Sequence, residues 1–291
     1  MTRTLIIARH VLQESIRRRV FVVVLVLTLM FLALFTLATV EAFNAQAPFG
    51  GGGSFGSGGI GAVDPHAITA VTLFGLGVFS ALFLATVLAV FLTLGAVRGD
   101  AERGLLQPLV VRPLGRREFL LGRFVGANAV CIGYIVVLYA VVVLIVHQAG
   151  GRWPDHVIGP GLALAAAITI LVGLSLLGSV FMSATANGIA MFMLYGAGLV
   201  AGLLASIGAT LGAHSVQTIA RDIAIALPFE GLYQAALHAL GSNQTGLTQV
   251  LVNLGPFGSS HPNTLAFDVW AAFYLAVVAM LATVGFQRRD L

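Results

Sequence analysis

Long runs of apolar residues, parted by short polar or glycine-rich segments, fill most of the chain. Six of them reach the roughly 20 residues that a helix needs to cross a bilayer. They are 20–40, 67–97, 124–146, 157–182, 188–212 and 265–286. None shows the alternating period of a membrane β-strand. The pattern predicts an all-α polytopic membrane protein with six transmembrane helices, forming one domain over 1–291. A short turn, Ser183 to Asn187, is expected between spans four and five.

The intervening segments differ from one another. Residues 1–19 read as an amphipathic helix lying in the membrane interface. Leu5, Ala8, Val11, Leu12 and Ile16 line one face, and Arg9, Gln13, Glu14 and Arg17 the other. Residues 50–61 form a Gly/Ser run. Gly56, Gly58 and Gly61 match G-x-G-x-x-G, but no strand or βαβ unit surrounds them, so a flexible loop is the reading. Segment 98–123 alternates charged with apolar residues, and Pro108 and Pro113 interrupt it. A loop that only fixes topology would not need Leu105, Leu106, Leu109 and Val110; that apolar set favours docking of a cytoplasmic partner. Segment 213–263 is too apolar for a free loop and too interrupted for a plain span. It predicts short re-entrant or interfacial helices around Ile219 to Leu227 and Glu230 to Leu240, broken at Pro228.

Composition narrows the class further. The chain is 58% hydrophobic and 9% charged, with mean hydropathy +0.99. Soluble domains carry about 25% charged residues, so this chain needs lipid as its solvent. All 15 basic residues are Arg. Without Lys, the phosphate-binding loop of a Walker ATPase cannot be assembled. Thirteen of the 15 Arg fall before span one, between spans two and three, or after span six. The positive-inside rule then puts both termini in the cytoplasm. The first apolar run is about twice the usual signal-peptide core, so it reads as an uncleaved anchor. Cys131 is the sole cysteine and lies in an apolar run, which excludes an intramolecular disulfide and points to a packed thiol.

Candidate chemistry is sparse. The centres of the six runs carry no Asp, Glu or Arg. Ion-driven pumps usually keep such groups inside the membrane, so secondary transport is disfavoured. Six of the seven His (His66, His147, His156, His214, His238 and His261) fall towards the outer side, without metal-ligand spacing. No metal site and no catalytic residue is assigned. Ser175 has no His partner for nucleophilic chemistry. Gly198-x-x-x-Gly202 and Gly208-x-x-x-Gly212 allow close helix approach, either within one subunit or between two.

Several short motifs, in order, carry a resemblance. They are Ala8-Arg9 through Arg17-Arg18-Arg19, Glu102-Arg103-Gly104-Leu105-Leu106, and Arg112-Pro113-Leu114-Gly115-Arg116. Leu121-Gly122-Arg123, Leu227-Pro228-Phe229 and Arg288-Arg289-Asp290-Leu291 complete the set. With six spans, the chain resembles the permease subunits of ABC transporters of the type-2 export class, most like the branch associated with multicopper-enzyme maturation. Where that family often has Thr and Lys, this chain has Leu105 and Arg123.

The resemblance implies the membrane part of an exporter in a prokaryotic cell membrane. It implies a second permease subunit, identical or homologous, and two separate ATPase subunits that bind ATP and Mg. No nucleic acid partner and no cofactor in this chain are expected. Glu102, Arg103, Gly104, Leu105, Leu106, Arg112, Pro113 and Arg116 are the expected coupling residues, and Pro228, Phe229 and Glu230 an expected outer gate. A permease for copper or sulfur species in metalloenzyme assembly, and a non-transporting scaffold or sensor, stay open as alternatives.

Overall fold

The computed structural model describes residues 19–46, 65–94, 116–151, 153–212, 214–240 and 264–288. Among them every regular element is a helix: α1 (Arg19–Gln46), α2 (Pro65–Thr93), α3 (Arg116–Gly150), α4 (Ile158–Phe181), α5 (Ala184–Leu211), α6 (His214–Ala226), α7 (Pro228–Leu240) and α8 (Leu265–Gln287). Six of these, α1 to α5 and α8, are long and apolar enough to cross a membrane. The predicted interfacial helix over 1–18 and the Gly/Ser run lie outside the described residues.

The spans alternate in direction. Leu120 of α3, Leu176 and Val180 of α4, and Ala282 and Phe286 of α8 share one cluster. It marks the end of the bundle where Arg117, Arg123 and Arg288 lie, called here the arginine-rich end. At the opposite end the rings of Phe43 and His66 stack, joining the close of α1 to the start of α2.

Two spans form the interior and three the periphery. The apolar stretches of α2 and α4 are 72% and 67% buried, against 17% for α1, 28% for α5 and 22% for α8. Small residues explain α2's position. Ala81, Ala85 and Ala89 recur every four residues and are fully buried, so neighbouring helices approach its backbone closely. Gly77 receives Val142 of α3, and Gly150 receives the Phe43 ring of α1; a Cβ at either would collide at 2.3 Å. Helix α4 packs against α2, α3, α5, α7 and α8.

Buried threonine hydroxyls are satisfied inside their own helices. Thr28, Thr39 and Thr86 each donate to the carbonyl four residues earlier at 2.7 Å. Such back-bonding removes the penalty of an unpaired hydroxyl in a lipid-facing bundle.

Two expected boundaries move. Span three begins at Arg116 rather than at 124, so residues 116–123 of the predicted inner loop are helical. At about 1.5 Å per residue, 35 residues give roughly 52 Å, well beyond the roughly 30 Å hydrocarbon layer. The charged first turns therefore project past the apolar layer. Helix formation there is supported from outside, where Phe119 stacks on Phe286 of α8 at 6.2 Å, and from within, where the Arg123 guanidinium lies 5.4 Å over the Phe119 ring one turn earlier.

The expected turn 183–187 shrinks to a break at Met182 and Ser183. Ser183 caps α5, its side chain accepting from the Ala186 N–H, and Asn187 is a helical residue. Asn187 is fully buried, and its Nδ2 donates to the Ser175 carbonyl at 2.9 Å.

Candidate functional site

The expected coupling residues Glu102, Arg103, Gly104, Leu105, Leu106, Arg112 and Pro113 lie outside the described residues. Arg116 opens α3. Beside it, Arg117 is exposed and Glu118 half-buried.

The expected outer gate is described in full. Pro228, Phe229 and Glu230 form the first turn of α7, and all three are buried. Pro228 fits there because the first helical position needs no N–H donor. The same residue keeps α6 from running on, and the two helices meet at 109°. At about 1.5 Å per residue the 13 residues of α7 reach only about 20 Å, too short to span. The pair is a bent, re-entrant element.

Its seat is on α5. Tyr195, Gly198 and Gly202 follow one another at helical spacing and face α7. The Phe229 ring stacks on Tyr195 at 6.2 Å and 15°. A Cβ at Gly198 would sit 2.8 Å from that ring. A Cβ at Gly202 would meet Glu230 Oε1 at 2.2 Å and Gln234 Nε2 at 2.3 Å. The Gly198-x-x-x-Gly202 motif thus serves contact within one chain. Gly208-x-x-x-Gly212 is not a packing face of this kind. Gly208 receives Gln217 of α6, whose Nε2 donates to the Gly208 carbonyl at 2.8 Å. Gly212 ends α5 with φ 64°, a left-handed conformation that glycine adopts without strain.

Tyr195 lies about 17 Å along α5 from its start, so the first turn of α7 reaches well into the bundle. There Glu230 is 1% exposed. One carboxyl oxygen, Oε1, accepts from Gln234 Nε2 at 2.8 Å. The other, Oε2, is buried without a hydrogen-bond partner, and so is the Tyr195 hydroxyl. Burial pushes the Glu230 carboxyl above the usual carboxylate range, and the Gln234 bond opposes this only in part. Sequence reasoning placed Glu230 at the outer mouth; its depth depends on glycines some thirty residues earlier.

A second polar cluster lies at the arginine-rich end. The Thr93 and Ser175 hydroxyls are 2.6 Å apart, both buried, with Asn187 on the Ser175 carbonyl. A Cβ at Gly178 would collide with Asn187 Oδ1. The arrangement ties α2, α4 and α5 together and offers Ser175 no base.

The predicted outer histidines are scattered. His66 stacks on Phe43, His147 on Trp153 at 4.1 Å, His214 opens α6 and His238 lies in the last turn of α7. Among the described residues no three His, Cys, Asp or Glu gather into a metal-holding group.

The family model described as ABC-2 family transporter protein matches residues 5–291, taking in all six spans and the re-entrant pair. The chain belongs to the ABC-2 transporter family. No curated protein matches it. As an ABC-2 membrane protein it is a permease subunit, with its six apolar helices as the multi-pass body.

Proposed function

We propose that the chain is the translocating half of an ATP-driven exporter in a prokaryotic cell membrane. The observation that carries this reading is the family match over 5–291. The absence of Lys agrees with it, since nucleotide chemistry must then come from a partner. Two ATPase subunits clasp the arginine-rich end, which faces the cytoplasm with both termini, as the Arg distribution supports. Glu102, Arg103 and Arg116 make polar contacts there, Leu105 and Leu106 anchor, and Gly104, Arg112 and Pro113 shape the segment. Two permease subunits, identical or homologous, enclose the path. Pro228, Phe229 and Glu230 act as the outer gate, because the turn they form is wedged among the spans and is short enough to move as a unit.

Charge reversal at the docking segment tests the coupling. In Glu102→Arg, the partner ATPase is expected to be lost from the purified complex while membrane insertion stays intact. Truncating one partner of a buried charged contact costs about 2–5 kcal/mol, enough to abolish co-purification. Wild-type co-purification and transport in this variant would remove Glu102 from the interface.

A further inference from the structure

Glu230 is the ionisable residue that the α7 wedge carries into the bundle, and its surroundings are nearly dry. Phe229 and Tyr195 are stacked beside it, Gly198 and Gly202 close one side, and Gln234 supplies a single donor. Among the described residues, two polar atoms in this enclosure, Glu230 Oε2 and the Tyr195 hydroxyl, have no hydrogen-bond partner. Both residues are more than nine-tenths buried.

Among the described residues no other charge is placed to neutralise a carboxylate there. The charged and titratable groups on the elements packed against α7 can be named in turn. Helix α4 carries none. Helix α2 has only His66, exposed at its far end. His214, Arg221 and Asp222 of α6 are all exposed. Helix α8 presents Asp268, exposed, and Tyr274, half-buried. Tyr195 of α5 and Tyr233 of α7 are phenols, uncharged near neutral pH, and supply no counter-charge. His238 sits two turns further along α7. An ionised carboxylate held by one amide is expensive in such a site, whereas a carboxylic acid is neutral.

We propose that the Glu230 carboxyl, closed in with the Tyr195 hydroxyl between α5 and α7, is a proton-binding site, filled while α7 is seated and emptied when α7 leaves. Seating forms the O–H bond at Oε2 with a proton taken from water. Unseating breaks that bond and returns the proton to water, leaving a hydrated carboxylate that resists reburial. The seat is thereby a latch whose hold weakens as pH rises. The sign follows from the carboxyl being more basic when buried. The seated state binds the proton more tightly, so its stability is present at low pH and is lost as pH rises through the buried group's titration. This stands on the seat alone and does not require the export reading.

The test uses the full chain in lipid nanodiscs with carbonyl-labelled glutamate. Infrared spectra at neutral pH are expected to show a protonated-carboxyl band that Glu230→Gln removes. The unfolding temperature of the wild type is expected to fall from mildly acid to mildly alkaline pH, a slope that Glu230→Gln loses. Tyr195→Phe is expected to keep the band but shift its frequency, since the polar hydroxyl enclosed with the carboxyl is gone; this arm stands even if Glu230→Gln does not fold. No protonated glutamate band at neutral pH, as an ionised carboxylate solvated by a trapped water would give, overturns the proposal. So does a band that persists in Glu230→Gln, or one that Tyr195→Phe leaves unmoved.

Discussion

Helices α6 and α7 have the same length, 13 residues each, follow one another in sequence and are both amphipathic, yet they occupy opposite environments. Nine residues of α7 are buried. None of the described side chains of α6 is. The difference comes less from the two helices than from what each is offered. Helix α7 packs mainly on the buried span α4, and its first turn also meets Tyr195, Gly198 and Gly202 of α5, a face low enough for a ring and two polar side chains to sink in. Helix α6 packs on the last turns of α5, where Gly208 takes Gln217 and Val216. Amphipathic period decides that one side of a helix will be covered; the partner surface decides how deeply.

Removing the deepest side chain breaks the comparison most strongly. Phe229→Ala deletes a ring that is 0% exposed, and should cost about 3–5 kcal/mol. Ile219→Ala on α6, 55% exposed, should stay within about 0.5 kcal/mol. Denaturant unfolding of the two variants in micelles measures the gap, and equal costs would mean that α7 is not seated as described.

Filling the seat from the other side comes next. Gly198→Leu forces a side chain into the Phe229 ring and should destabilise by about 1–3 kcal/mol. Gly196→Leu, two residues away with open space at its Cβ, should be near neutral. The same unfolding assay separates them.

The smallest effect sharpens the picture of α6. Trp270 Nε1 of α8 donates to the Ile225 carbonyl at 3.0 Å, a tether at the close of α6. Trp270→Phe should cost about 0.5–1.5 kcal/mol. Faster amide exchange should follow in α6 and not in α7, read by hydrogen–deuterium exchange.

The six spans were legible because lipid imposes a length and a polarity that few other segments meet. The break at Pro228 was legible from proline chemistry alone. The start of α3 was not, because Arg116 to Arg123 mixes charges with Leu and Phe, and the contacts that hold it helical, Phe286 above all, lie far away in sequence. Asn187 was read as a turn residue on propensity; a distant carbonyl of Ser175 makes it a helical one. For the expected gate, the residues were legible but not their depth. Nothing local to Glu230 says that it will lie against Gly202. The glycine motif was visible, and which partner it served became clear only from α7.

Helix α4, the post around which five other helices are arranged, carries no titratable side chain over its whole length. The electric field across an energised membrane acts on charge, at about 2.3 kcal/mol per elementary charge for each 100 mV. Within this post it finds no side-chain charge to pull on, so any voltage dependence of the bundle must enter through the helices around it.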